Sequence, residues 1–290
     1  MYADLSRPPL NAAALSRAVV YDGSLWRELR VVASAGSTNA DLAVLAREGA
    51  PQGVVLVAEQ QTLGRGRLDR GWVSPPQAGL TFSILLRPPG DFPLSRWGWL
   101  PLLTGVALAD AVAGLAEVVT RLKWPNDLLL GEYRHKAAGV LAEVVEDTVV
   151  VGIGLNVSTC RDELPEQATS LVLEGAACVD RDTLLRAILR EIESRYRRWC
   201  DHLGDAAGSG LLASYVETCD TLGQEVSVVV PGGPPLRGRA EAIDSTGRLV
   251  IRTGDDVHAV SAGDVTRLRP TAHPAPRRSL RLDPSPHAPR

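Results

Sequence analysis

A short segment of alternating glycine and arginine carries the clearest chemical signal in the chain. It runs from Leu63 to Trp72, reads LGRGRLDRGW, and follows an apolar β-branched run that begins at Gly53. Glycine permits backbone conformations and close approaches that a Cβ forbids. Guanidinium groups offer planar sets of donors suited to carboxylates and phosphates. The segment, with the flat ring of Trp72, predicts a loop that closes over a small anionic molecule.

Two plainer interpretations of this segment exist. One is a solvated turn, and the other is a nucleic-acid-binding segment of the RGG type. RGG segments are repetitive and disordered, whereas this chain carries one copy joined to an apolar strand. The phosphate-binding pattern G-x-x-x-x-G-K-[ST] occurs nowhere in the sequence. A nucleotide bound here would therefore need another arrangement.

Three polar side chains precede an amphipathic run. Ser37, Thr38 and Asn39 come directly before Ala40–Arg47, so one of them is expected to cap a helix. Together they also offer a compact set of donors and acceptors at a helix N-terminus, which suits the polar head of a ligand.

The middle of the chain adds two lysines and a turn. Lys123 ends a strand-like run, the turn 125–127 (PND) follows, and Lys136 opens the next strand. Each lysine taken alone is better explained as a surface cation, whereas the turn residues are explained equally well as turn formers. Gly152 and Gly154 interrupt an apolar strand, which indicates close backbone packing or ligand approach.

Strand patterns dominate residues 29–157, and helical patterns occur only near residues 40 and 107. This predicts an α+β fold with a mixed or antiparallel sheet covered by helices on one side, and not a doubly wound fold. Residues 181–202 form a long amphipathic helix, capped by Asp180 or Asp182.

Beyond residue 222 the pattern changes to five short β runs separated by turns, typical of a small closed barrel. Residues 270–290 are rich in Pro and Arg and are expected to be disordered. The predicted division is a lead-in at 1–29, a larger domain at 30–221, the barrel at 222–269 and the tail at 270–290.

Composition bounds the function. The formal charge of -3 gives no general attraction to nucleic acid or acidic membranes. The four cysteines are widely spaced without a C-x-x-C pair, which indicates reduced thiols in a cytoplasmic protein. The start lacks a signal peptide pattern. The apolar stretch 97–119 is interrupted by Pro101, Asp110 and Glu117, so it predicts a buried helix and no membrane span.

Four segments, SAGSTNADL, EQQTLGRGRLDRGW, KWPNDLLL with the later KAAGVL, and GIGLN, together resemble the biotin protein ligases in order and spacing. The resemblance covers roughly residues 30–215. It implies a class II synthetase-like catalytic domain (the biotin/lipoate ligase fold), and the small β domain is similar to the family's SH3-like C-terminal barrel. Such enzymes use ATP and Mg²⁺ to activate biotin as biotinyl-5'-AMP. They then transfer it to a lysine of the biotin carboxyl carrier domain of an acetyl-CoA, acyl-CoA or pyruvate carboxylase.

The resemblance also implies residue roles. Lys136 and Arg67 are the expected catalytic residues, with Lys136 on the biotin carboxylate and the bridging oxygen. No metal site fixed by protein alone is expected, since Mg²⁺ comes with ATP, although Asp127 is a candidate to help it or to orient the acceptor lysine. The expected biotin-binding residues are Ser37, Thr38, Asn39, Gln61, Gly64, Arg65, Gly66, Arg67, Lys136 and Gly139. The expected ATP-binding residues are Arg67, Arg70, Trp72 (stacked on adenine), Lys123, Asn126, Asp127 and Asn156.

The sequence departs from the family pattern in places. KAAGVL has Ala137 where a leucine is usual, and Leu68-Asp69 replaces a more basic or glycine-containing pair. No winged helix-turn-helix pattern precedes residue 30, so we expect no DNA binding and no repressor activity. The protein is expected to be a monomer or weak homodimer. The 63–72 loop is expected to be the least ordered part of the ligand-free catalytic domain.

Two other functions are consistent with some of these motifs. A lipoate or octanoyl transferase would have the same general fold but not the combination of GRGR with KWPND. A non-catalytic sensor of biotin or its adenylate would need no intact Lys136, Arg67 and Lys123.

Overall fold

The structure, a computed structural model, describes residues 7–67, 70–72, 74–90, 92–229, 234–261 and 263–267. The predicted tail at 270–290 and the Leu68-Asp69 pair lie outside these ranges. Among the described residues the elements are five α-helices and two sheets.

The larger sheet has seven strands in the order β1-β2-β3-β7-β6-β5-β4. β1 and β2 are parallel, and the other neighbours are antiparallel, which confirms the predicted mixed sheet. Long β-branched runs favour the central strands, because such side chains fit a pleated buried surface. The strands are β1 (Glu28–Val32), β2 (Val54–Ala58), β3 (Gly79–Leu86), β4 (Thr120–Lys123), β5 (Asp127–Leu130), β6 (His135–Val145) and β7 (Thr148–Asn156).

The helices pack against both faces of this sheet. They are α1 (Ala12–Val19), α2 (Thr38–Arg47), α3 (Trp99–Ala116), α4 (Arg181–Asp201) and α5 (Leu211–Thr218). Side chains alternate between faces along a strand. Ile84 and Val151 join the main core with α3 and α4, whereas Leu85 and Val150 pack against Leu42 of α2 in a second apolar cluster. The expectation of helices on one side was therefore wrong, since α2 covers the opposite face.

Helix α3 is apolar enough, with its preceding 3-10 turn, to pass for a membrane span by length and composition alone. Most of its residues are buried inside the fold, as predicted for a core helix. Helix α4 begins at the Asp180 cap, whose carboxylate accepts from Thr183 N at 2.7 Å. Hydrogen bonding by the Thr183 side chain, together with this backbone bond, lowers the pKa of Asp180 below its ordinary value.

A buried ion pair fixes the end of β2. Glu59 Oε2 lies 2.6 Å from the guanidinium of Arg181, the first residue of α4. The other carboxylate oxygen accepts from Leu10 N at 2.6 Å, and Arg181 also donates to the Pro8 carbonyl. A buried ion pair is tolerated only when its remaining hydrogen-bonding groups are satisfied. The pair thereby anchors the backbone two residues before Gln61.

The second sheet has five strands in the order β11-β10-β9-β8-β12, all antiparallel, as expected for the SH3-like C-terminal domain. Its strands are β8 (Glu225–Val229), β9 (Leu236–Ile243), β10 (Leu249–Thr253), β11 (Asp256–Val260) and β12 (Asp264–Arg267).

The β9–β10 turn of this sheet is held against the larger sheet and α3 by two tryptophans. Trp99 donates its indole N–H to the Ser245 carbonyl at 3.0 Å, and Trp124 donates to the Gly247 carbonyl at 3.1 Å. Both rings are buried.

Replacing Trp99 with Phe should destabilise the protein beyond the loss of ring area, because the Ser245 carbonyl loses a buried donor. Trp26→Phe is the matched control, since Trp26 is equally buried and its indole nitrogen has no hydrogen-bond partner in the described part of the chain. We expect Trp99→Phe to lower the free energy of unfolding by about 1–2 kcal/mol more than Trp26→Phe. Equal losses in chemical denaturation would contradict this role.

Candidate active site

The polar wall of the site is built at the N-terminus of α2. Ser37 caps the helix by accepting from Ala40 N, as predicted for one of the three polar residues. Thr38 N donates to Gln61 Oε1 at 2.9 Å. Ser83, fully buried on β3, donates to Asn39 Oδ1 at 2.6 Å and lies 2.7 Å from Thr38 Oγ1. The cluster is therefore hydrogen-bonded internally before any ligand arrives.

Next to this wall, three glycines leave a depression in the sheet. Gly139 of β6 pairs directly with Gly154 of β7, and Gly152 lies two residues before Gly154 on the same face. A Cβ at Gly152 would lie 2.1 Å from Asn39 Oδ1, and one at Gly154 would lie 2.3 Å from Trp72 Cε2. We call these three residues the glycine floor. Their missing side chains make room for Asn39 and Trp72, as the strand glycines predicted.

At the other end of the floor lies an ion pair. Lys136 Nζ is 2.7 Å from Asp127 Oδ1 and 5.8 Å from the centre of the Trp72 ring, within reach of a cation–π contact. Asn126 donates its side-chain amide to the Val140 carbonyl at 2.9 Å, and Val140 N donates back to Asn126 O at 2.9 Å. These bonds fasten the turn that follows the cis Trp124–Pro125 peptide bond onto β6.

The Gly/Arg loop crosses the cavity as a folded-back segment. Gly66 N donates to Arg70 O at 2.6 Å, and Trp72 N donates to Gly64 O at 2.9 Å. Gly64 is required there, since a Cβ would lie 2.3 Å from Trp72 O. The prediction that residues 63–72 are poorly ordered without ligand concerns motion and stays a prediction.

All but two of the predicted site residues line one cavity, including both lysines of the chain. Gly64 does not line it. Asn156 is buried and donates to the Thr169 carbonyl at 2.9 Å, and it does not belong to the cavity wall. The predicted residues that line the cavity are Ser37, Thr38, Asn39, Gln61, Arg65, Gly66, Arg67, Arg70, Trp72, Lys123, Asn126, Asp127, Lys136 and Gly139.

Sequence reasoning missed several residues of the site. Thr81 lines the cavity and Ser83 supports it, and both are hydroxyl residues at alternate positions of an otherwise apolar strand, a signal that could have found them. Glu143 similarly interrupts an apolar run in β6. Gly263 and Val265 reach the cavity from the C-terminal sheet, and nothing in their local sequence indicates it.

A second cavity adjoins the first and shares Arg67, Trp124 and Asn126 with it. It opens between the start of α3 and the β9–β10 turn, where Gly98 and Gly247 lie on its wall.

The described residues contain no group of three or more His, Cys, Asp or Glu placed to hold a metal ion. The Asp127 carboxylate lies in the cavity but is paired with Lys136. This donor set fits Mg²⁺ carried by nucleotide phosphates, since that ion is commonly held by one or two carboxylates and substrate oxygens.

Comparison with known proteins gives consistent matches. Residues 33–158 match the biotin/lipoate A/B protein ligase family, and residues 221–267 match the biotin protein ligase C terminal domain. The chain is 44% identical over 270 residues to a biotin--[acetyl-CoA-carboxylase] ligase of Mycobacterium tuberculosis, covering 92% of this chain and 98% of that relative. It is 33% identical over 230 residues to the bifunctional ligase/repressor BirA of Bacillus spizizenii, covering 76% and 68%.

Among solved structures, a biotin protein ligase from Aquifex aeolicus in complex with biotin and ATP aligns with a TM-score of 0.68 at 29% identity, covering 84% of this chain and 100% of that chain. The chain belongs to the biotin/lipoate A/B protein ligase family. Within this family it is a biotin protein ligase, an enzyme of the biotin--[biotin carboxyl-carrier protein] ligase type.

Filling the glycine floor should disrupt the polar wall. In Gly152→Ala the new methyl group displaces Asn39, because their atoms would otherwise overlap. We expect a loss of about 1–3 kcal/mol in the free energy of unfolding, the usual cost of overpacking. Gly114→Ala is the control, since Gly114 lies exposed in α3 with nothing within 4 Å of the added methyl. That change should be neutral or slightly stabilising. Unaltered stability of Gly152→Ala would show that Asn39 moves away without cost.

Proposed function

We propose that the protein activates biotin as biotinyl-5'-AMP with ATP and then transfers it to a lysine of a biotin carboxyl carrier domain. The observation that carries this proposal is the arrangement of one cavity. A neutral polar wall lies at one end, the ion pair of Lys136 and Asp127 lies at the other, and the glycine floor lies between them. Biotin has the matching order of groups: a neutral ureido head, an apolar ring and chain, and a carboxylate.

Binding would use both ends of the cavity. The ureido head hydrogen-bonds at the α2 N-terminus, where the Ser37 cap bond uses an oxygen lone pair and not the hydroxyl proton. The backbone of Arg65 and Gly66 closes over the head. The carboxylate meets Lys136, whose ammonium is a compact charge suited to one developing centre. Asp127 holds that ammonium in place until the substrate carboxylate arrives.

Trp72 would change its contacts when ligands bind. The indole now rests on the glycine floor, against Gly154 and near Gly139. A biotin ring lying on the floor needs that space. We infer that the indole moves off the floor and then stacks against adenine, the role that the resemblance predicts.

The first step joins two anions. A carboxylate oxygen of biotin forms a bond to the α-phosphorus of ATP, and the bond from that phosphorus to pyrophosphate breaks. Lys136 and Arg67 would neutralise the repulsion between the reactants. Arg70 and Lys123 line the same cavity, which supports their proposed contacts with the phosphates. Magnesium arrives with ATP and supplies charge to the phosphates.

The second step consumes the product of the first, the mixed anhydride biotinyl-5'-AMP. The acceptor amine attacks the carbonyl carbon, the C–O bond to the phosphate breaks, AMP leaves, and the amine gives up a proton. A free lysine has a pKa of about 10.4 and is mostly protonated at neutral pH, so an activated acyl group is needed. We infer that the acceptor lysine approaches the mixed anhydride through the second cavity, and Asp127, which lines the first cavity, is the candidate to orient it.

The acceptor protein is inferred from the name of a similar protein. The Mycobacterium relative is named for the acetyl-CoA carboxylase, which supports a carrier domain of that class as acceptor. We propose a cytoplasmic protein that acts as a monomer or weak homodimer and does not bind DNA. A lipoate or octanoyl transferase is disfavoured because residues 221–267 match the biotin ligase C terminal domain. A non-catalytic sensor is disfavoured by the intact lysine pair in the cavity.

ATP-dependent transfer of biotin to a purified carrier domain tests the proposal. We expect wild-type protein to transfer biotin and Lys136→Ala to lose about 100-fold or more in rate, as when a charge-stabilising donor is removed. Arg252→Ala is the control, because Arg252 lies exposed on the C-terminal sheet and pairs with Glu241 there. Equal transfer by wild type and Lys136→Ala would keep the ligase and exclude this role for Lys136. Tight biotin binding without any transfer would favour the sensor.

The movement of Trp72 is testable by intrinsic fluorescence. The chain has six tryptophans, and Trp72 is the one that rests on the glycine floor. We expect saturating biotin and ATP to change the emission of wild type and of Trp26→Phe, whose replaced ring lies in the core. Trp72→Phe should lose most of that change. If Trp72→Phe keeps the full change while still binding ligand, the indole does not move as proposed.

A further inference from the structure

Glu143 has no role in the mechanism above, yet it lies beside the polar wall. It lies on β6, four residues after Gly139 and two before Val145, which packs in the α2 cluster. Since alternate residues share a face, Glu143 is on the same sheet face as the glycine floor. A carboxylate in this apolar part of β6 needs polar partners, and the structure shows which they are.

Both oxygens of the carboxylate have partners. Oε2 accepts from Asn39 Nδ2 at 2.6 Å, and Oε1 lies 3.7 Å from the guanidinium of Arg65. Asn39 belongs to the polar wall at the start of α2, whereas Arg65 belongs to the Gly/Arg loop. The Glu143 carboxylate is therefore a bridge between two parts of the site that are separate in sequence.

The bridge sets the orientation of a buried amide. Asn39 is 4% exposed, and its Nδ2 donates to Glu143 and to the Leu141 carbonyl at 3.2 Å. Its Oδ1 accepts from Ser83. With both ends committed, the Asn39 amide cannot flip without leaving a buried polar atom unpaired, which is costly.

We propose that Glu143 is a positioning residue for biotin recognition, coupling Asn39 of the polar wall to Arg65 of the Gly/Arg loop so that the two keep a fixed relative position. The identity of the ligand rests on the proposed function, but the coupling does not. Glu143 holds Asn39 against Gly152 and draws Arg65 toward the wall. The backbone of Arg65 and Gly66 then lies where it can meet the ureido head.

The expected effect of substituting Glu143 depends on the solvent exposure of Glu143 and Arg65. The side chains of Glu143 and Arg65 are 35% and 54% exposed, so their attraction is screened by water. Partly exposed ion pairs shift equilibria by about two- to fivefold. Loss of the Asn39 contact adds to this, because Asn39 is buried. Glu143→Gln removes the charge but can still accept from Asn39, whereas Glu143→Ala removes both contacts.

The experiment combines kinetics with a ligand-free measurement. Pyrophosphate release at varied biotin gives KM and kcat, and limited trypsin digestion gives the rate of cleavage at Arg65 to Arg70. Glu143→Gln should raise KM for biotin about threefold with kcat nearly unchanged and speed cleavage by about the same factor. Glu143→Ala should raise KM further. Glu241→Gln is the control, since it removes the charge of an ion pair on the C-terminal sheet.

A double-mutant cycle with Arg65→Ala completes the test. Since both residues act through one contact, Glu143→Gln combined with Arg65→Ala should be no worse than Arg65→Ala alone. Additive effects, or a wild-type KM in Glu143→Gln, would overturn the coupling. If the wild type itself released no pyrophosphate, the proposed function would fail, and the cleavage rates would still decide the coupling. Unchanged cleavage in Glu143→Gln and Glu143→Ala would then overturn it.

Discussion

The site depends on the absence of three side chains from the middle of a sheet. Gly139, Gly152 and Gly154 leave bare backbone between α2 and the Gly/Arg loop, and Asn39 and Trp72 lie against that backbone. On the same sheet face, Leu85, Val145 and Val150 bury the apolar side of α2. One surface therefore does two things. Its apolar half fixes the helix, and its bare half leaves a recess at the helix N-terminus, where polar groups are available.

The two ends of the recess differ in how they are held. The polar wall is closed by hydrogen bonds among buried groups, so its geometry is set before binding and little order is lost when a ligand arrives. The cationic end is held by the Asp127 carboxylate, which a substrate carboxylate can replace. The cavity thus combines a rigid polar end with a cationic end whose ion pair is exchangeable.

Much of the fold could be predicted from the sequence because local patterns determine it. The β-branched runs, the Ser37 cap and the amphipathic α4 each indicate their element within a few residues. The side of the sheet covered by α2 could not be predicted, because that depends on which alternate residues of distant strands meet Leu42. The cavity residues that belong to the recognised sequence motifs could be predicted. Gly263 and Val265 could not be predicted as site residues, since they reach the cavity through the packing of the C-terminal sheet on the larger domain, which includes the contacts of Trp99 and Trp124 with the β9–β10 turn.

The two lysines in the cavity, Lys123 and Lys136, are the only lysines of the whole chain, and every other permanently cationic side chain is an arginine. A guanidinium stays protonated at neutral pH and does not act as an amine nucleophile. Apart from the N-terminal amine, an amine-directed acylating reagent therefore meets its targets inside the cavity and nowhere on the outer surface. A single round of chemical labelling would mark this cavity directly, and protection of the two lysines by a bound molecule would measure occupancy without any enzymatic assay.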